Sequence, residues 1–226
     1  MLDTAREKKR LYRVGGTSLL ISGVLFLVKA FLDLVVGPPP STGEQILAWM
    51  ASARLPLALV NEVLFIAAMF LVPGLIALHE SLASTDRTRA AAGAGLFAMA
   101  LPVLFLVAIV HGRLVYDVYD IHVDDPAVAK LIVAVCYGGL HAAGIILAVA
   151  TLVLSLAMRD GPHGRKVANL GLATSLFDLV GSYPWAIGAA LSAASQVMFA
   201  SWFLAVGWKL YTLDPATRPP PPVTGG

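Results

Sequence analysis

Charge is what this chain most conspicuously lacks. Only 13% of its 226 residues are Asp, Glu, Lys or Arg, whereas a soluble domain carries about a quarter. So few charges cannot cover a water-facing surface, and with 58% hydrophobic residues and a mean hydropathy of +0.79 a bilayer is the solvent that fits. The single cysteine, Cys136, excludes an intramolecular disulfide and, inside an apolar run, reads as a small buried hydrophobe. A net charge of +2 gives no basis for a nucleic-acid partner and supports at most a mild attraction to anionic lipid. Also missing are His-Glu-x-x-His, the Gly-x-Ser-x-Gly nucleophile turn, Cys-x-x-Cys and a P-loop, which argues against a zinc protease and against ATP-driven or thiol-redox chemistry.

What the chain does have is length of apolar sequence. A hydrocarbon core of about 30 Å needs about 20 helical residues, and six runs are long enough: 14–36, 56–78, 90–110, 129–158, 167–183 and 189–211. The fifth is the shortest and stops at Ser182-Tyr183-Pro184-Trp185, a proline among interfacial aromatics. The expected fold is all-α, a bundle of six transmembrane helices forming one domain over 1–213, followed by a disordered Pro-rich tail over 214–226. The basic N-terminus with its apolar run is expected to be an uncleaved first span, because the run is long and contains Lys29 and Asp33.

Lys and Arg accumulate on the cytoplasmic side of membrane helices. Twelve of the sixteen lie on one side of the expected topology, three (Arg54, Arg113 and Lys130) on the other, and Lys29 within a span. Both termini are therefore expected in the cytoplasm, in a multi-pass protein of the cell membrane. On the outer side, Ser41 and Glu44 have capping-box spacing, and Ile46, Leu47, Trp49 and Met50 can form the apolar face of a short surface helix that lids the bundle.

An ionisable group inside a membrane costs about 2.5–3.5 kcal/mol by insertion scales, so each needs a partner or a purpose. Ser18, Ser22, Lys29 and Asp33 share one face of the first span, as do Gly171, Ser175, Asp178 and Ser182 in the fifth. Counted from the nearer membrane edge, Lys29, Asp33, Asn61, Glu62, His111 and Arg113 fall in the outer half, with His141 and Asp178 near the midplane. Together with Tyr183 they are the candidate residues of a polar cavity opening to the outer side. The plainer alternative keeps Lys29 and Asp33 as a local ion pair and Asp178 as a hydrogen-bonding contact between helices.

His111 and His141 lack a repeated partner pair, so no haem or other cofactor is expected. His122 beside Asp120, Asp124 and Asp125 reads as a solvated loop, and no metal is expected. Gly139 with Ala143, and Gly171 with Ser175, have the small-residue spacing of close helix approach and of dimerisation.

The layout resembles the family of small bacterial six-span membrane proteins described as domain of unknown function 4386. The resemblance rests on Tyr12-Arg13-Val14-Gly15-Gly16 leading into the first span, the polar loop before the second and Leu152 to Arg159 closing the fourth. It continues with Asn169-Leu170-Gly171 in the fifth and Trp208-Lys209 closing the sixth, covering Leu11 to Leu213. Arg165-Lys166-Val167-Ala168 stands where the family has a proline before its Leu-Gly pair. The resemblance implies fold and location, not a reaction.

Three functions remain open. The first is a non-enzymatic protein binding or passing a small solute or lipid through the cavity. The second is a membrane enzyme acting on lipid or quinone at the outer interface, with His111 or His141 as acid or base and Arg113 orienting an anionic head group. The third is a structural or accessory subunit whose polar residues fix helix register. Membrane lipids are the expected partners, with a homodimer or an accessory chain as further candidates.

Overall fold

The computed structural model describes residues 2–214; of the Pro-rich tail expected over 214–226 only Asp214 is among them, paired with Lys9 at 2.6 Å, and the rest lies outside the described residues. Among these there are seven helices and no strand: α1 (Leu2–Val36), α2 (Gly43–Ser52), α3 (Arg54–Ala83), α4 (Arg87–Gly112), α5 (Pro126–Met158), α6 (Arg165–Gly181) and α7 (Pro184–Thr212). Five of them, α1, α3, α4, α5 and α7, are long and apolar enough to cross a membrane. At 17 residues, α6 is about 25 Å long, shorter than every helix it lies beside.

The helix ends follow from local chemistry. α1 stops where Gly37 takes a φ of 72° and donates its N–H to Asp33 O, before three prolines that cannot continue a helix. Asp86 and Asp125 cap α4 and α5 by accepting from Arg89 N and Ala127 N, with Pro126 in the first turn of α5. The surface helix expected after the proline run is present as α2, but its cap is one residue later than the Ser41 and Glu44 spacing suggested. Thr42 Oγ1 accepts from Gln45 N at 3.3 Å, because Thr42 is the residue whose extended backbone turns its hydroxyl onto the helix end. α7 opens with a single turn at Pro184 and breaks at Gly188, where φ is 74°, so its continuous helix begins at Ala189 as the apolar run indicates.

Leaving α2 aside, the helices contact one another in chain order, α1 to α3, α4, α5, α6 and α7, and α7 returns to α1. The result is a ring of alternating up and down helices. Close approach of α1 and α7 depends on glycine: a Cβ on Gly207 would lie 2.9 Å from Gly16 O. Inside the ring, Phe26 of α1, Phe97 of α4 and Phe199, Trp202 and Phe203 of α7 form a connected aromatic cluster, with ring centroids 4.6–6.1 Å apart. This plug joins opposite sides of the ring and closes its middle. The outer surface is apolar, with Phe31, Leu55 and Leu176 65–70% exposed; contiguous apolar surface of this kind is what a lipid or partner must cover.

Candidate functional site

Above the aromatic plug, at the end of the bundle that carries α2, the ring encloses a cavity of about 820 Å³, within the range of ligand sites, about 300–1,000 Å³. The alternation of helix direction brings its walls together. The last turns of α1, α4 and α6 and the early turns of α3, α5 and α7 all lie at this end. Phe26 and Phe199 belong to both plug and floor, and Pro38, Pro39 and Trp49 stand at the rim. α2 is fixed there by Trp49 Nε1, which donates to Val36 O at 3.1 Å, and by Gly43, which sits against Pro126 with no room for a side chain.

Of the nine residues expected at the site, Lys29, Asp33, Asn61, His111 and Asp178 line this cavity. Lys29 is buried and donates to Asp33 Oδ2 at 2.6 Å and to Gln196 Oε1 at 3.1 Å. The local ion pair expected for Lys29 and Asp33 therefore exists, and it also bridges α1 to α7. Asn61 and Asp178 are each more than nine-tenths buried, and Asn61 Oδ1 and Asp178 Oδ2 are enclosed without a hydrogen-bond partner. Leaving a buried acceptor unsatisfied costs about 1–3 kcal/mol, more when it is charged, so these two atoms are a place where a ligand can add what the protein does not supply.

Glu62, Arg113, His141 and Tyr183 are not part of the lining. Consecutive helical residues point about 100° apart, so when Asn61 faces inward, Glu62 faces outward and accepts from Tyr116 Oη at 2.8 Å. Arg113 follows the end of α4 and donates to Ile121 O across the loop. His141 lies against Tyr183 and Trp185, with ring centroids 4.6 and 5.4 Å away, and its Nδ1 is 2.8 Å from Ser182 O. A carbonyl only accepts, so Nδ1 carries the proton.

Gln196 is the wall residue whose role the sequence alone did not reveal. Its signal was present: Ser192, Gln196 and Phe199 are spaced by four and three residues, one helical face, and all three line the cavity. Tyr137 and Ser182 join them. The small residues singled out by spacing serve contacts within the chain, since a side chain on Gly139 would meet Val107 of α4 and one on Gly171 would meet Ser155 and Trp202.

The loop from Arg113 to Asp125 is held separately. Tyr119 and Asp120 both have positive φ, forming a tight turn closed by the isolated bridge of Val118 and Ile121. Arg54 donates to Val115 O and to Asp117 Oδ2, and His122 Nδ1 lies 2.9 Å from Asp117 Oδ1. These bonds, Arg54 first and His122 second, hold the Asp117 carboxyl below its ordinary range. Burial first, and then donation to Glu62, push the Tyr116 hydroxyl above its own. Among the described residues no group of three or more His, Cys, Asp or Glu is placed to hold a metal ion.

No family model, curated protein or solved structure matches this chain.

Proposed function

We propose that this is an integral membrane protein of six spans, α1 and α3 to α7, of the small bacterial kind it resembles, with both termini in the cytoplasm and the α2 end facing outward. α6 counts as a span because it returns the chain from the end of α5 to the α2 end, where α7 starts. Within that frame the protein binds or passes a small solute or lipid through the cavity at the outer end. The observation that carries this proposal is the enclosed pair Asn61 Oδ1 and Asp178 Oδ2 in the wall of an apolar 820 Å³ cavity. Polar groups for helix registration alone need no such space, and intramembrane ionisable residues are functional candidates by default. The enzymatic alternative has less support, because Arg113 and His141 do not stand with His111 in the lining.

Native mass spectrometry of the full chain in a mild detergent tests the proposal. The expected result is a retained non-protein mass that falls several-fold in Asp178→Asn and in Asn61→Ala, with folded yield unchanged. Equal retention in both variants, or a clean chain even after incubation with total lipid extract, would overturn it.

A further inference from the structure

The wall of the cavity is incomplete on one side. Gly144 of α5 is level with the end of α6, since a Cβ there would lie 2.8 Å from Ser182 Cβ; Gly181 of α6 is level with α7 at Ser195, at 2.6 Å. Above those contacts α6 has ended, while α5 and α7 continue. Gly138 is six residues above Gly144, and Ala189 six residues above Ser195, about 9 Å in each case. The two therefore stand at the same height above the end of α6, where only the single turn from Pro184 carries the chain up to Ala189. Both line the cavity and both are exposed, as are Ala134, Trp185 and Gly188. Residues that are at once lining and surface mark an opening, and the residues around this one are small or apolar.

What lies outside the opening is apolar as well. Leu131 and Val135, on the turns of α5 above Gly138, are 63% and 48% exposed. Tyr183 and Trp185, 41% and 59% exposed, form its lower edge, and exposed Tyr and Trp favour the boundary between head groups and hydrocarbon. The opening is thus directed sideways at that boundary.

The interior specifies the head group. Lys29, the one Lys or Arg among the described residues of the lining, already has Asp33 and Gln196 as partners. Among the described lining residues, Asn61 Oδ1 and Asp178 Oδ2 are enclosed without partners, an amide and a carboxyl oxygen that can each accept a hydrogen bond. With Lys29 and Asp33 compensating each other, Asp178 is the acidic group of the lining left without a counter-ion, and a cationic donor beside it is what would hold it as a carboxylate. An occupant that satisfies these groups donates hydrogen bonds and carries positive charge, while its apolar part rests against the Phe26 and Phe199 floor.

Resting on the membrane reading and cavity function proposed above, we infer that the ligand is a single-chain amphipath with a protonated amine head group, admitted sideways from the bilayer through the gap between α5 and α7 above the end of α6.

The test uses the full chain in lipid nanodiscs with Trp185→Phe and Trp208→Phe, which removes two exposed indoles and keeps Trp49 at the cavity rim and Trp202 in the plug beneath its floor. The probe is ω-bromoundecylamine, whose bromine quenches indole fluorescence, compared with ω-bromoundecanoic acid, which has the same tail and an anionic head. Saturable quenching at least tenfold tighter for the amine is expected, with the preference abolished by Asp178→Asn. Gly138→Phe blocks the opening without crowding the fold, since nothing lies within 4 Å of a Cβ at Gly138; it is expected to slow the approach to saturation several-fold. Equal affinity for both probes, or a preference for the acid, overturns the head-group assignment while the cavity function stands. An unchanged rate in Gly138→Phe overturns the lateral route. Absence of saturable quenching by either probe overturns the proposed function along with the inference.

Discussion

Lys29 of α1 and Gln196 of α7, 167 positions apart in the chain, are joined by a 3.1 Å hydrogen bond in the cavity wall. The same ammonium is 2.6 Å from Asp33 one turn later, so one buried cation ties together the first and last helices of the ring. Replacing Lys29 by Met leaves Asp33 without its counter-ion, and with Asp33 about one-third exposed the expected cost is about 1–3 kcal/mol. The double variant Lys29→Met with Asp33→Leu should recover most of it. Thermal unfolding in nanodiscs measures both; equal midpoints for single and double variants would show that the two charges are not coupled.

Gly171 is where α6 comes closest to its neighbours, and a side chain there collides with Ser155 on α5 and with the Trp202 indole on α7. Gly171→Val is expected to destabilise the bundle by about 1–3 kcal/mol through overpacking. Gly95, with open space around it, is the control: Gly95→Ala should be neutral or stabilising, since alanine is the better helix former by about 1 kcal/mol. Folded yield by size-exclusion chromatography separates the two outcomes.

The seat of α2 depends on another contact that admits no side chain, Gly43 against Pro126. Gly43→Val should lift α2 from α5 and increase hydrogen exchange across Gly43 to Ser52. Trp49→Phe, which loses only the bond to Val36 O, should cost about 1 kcal/mol and leave exchange in the rest of the helix nearly unchanged.

Two titrations mark the loop at that end. Asp117 is held below its ordinary 3.8, first by the Arg54 hydrogen bond and then by His122. A depressed carboxyl contributes stability above its unfolded pKa, and loses it as pH falls through the folded one. Arg54→Met should bring the Asp117 carboxyl back toward 3.8 in an NMR titration. Tyr116 is raised above 10.0 by burial first and then by donation to Glu62. Because the folded loop holds that proton more tightly, the contribution is present below pH 10 and is lost as pH rises through the higher folded value. Glu62→Gln should shift the phenolate absorbance titration back toward 10; no shift would mean that the hydrogen bond does not govern the group.

Much of this architecture is legible along the chain because a membrane-scale apolar run is a local property. The runs 56–78, 90–110 and 129–158 fall inside α3, α4 and α5, with only the polar ends extended, and the short fifth run corresponds to the short α6. The inward faces were legible as well, since i, i+4 spacing places Ser18, Ser22 and Lys29 on one side and all three are buried. Spacing within one helix does not decide between adjacent residues on different sides. Asn61 lines the cavity and Glu62 does not, although both have the same depth and similar polarity.

The sequence by itself determined that the chain forms apolar helices of nearly fixed boundaries, that α2 follows the proline run, and that polar side chains gather toward one end. Those features depend on residue type and on a helical period, which are present before any two helices meet. Only the tertiary structure decided that six helices close into a ring, that aromatic residues from α1, α4 and α7 block its middle, that Gln196 is the partner of Lys29, and that the ring is open above α6. The reason is that each depends on rotation and height between helices far apart in the chain, which are set by where glycines allow backbones to touch and where bulky rings do not.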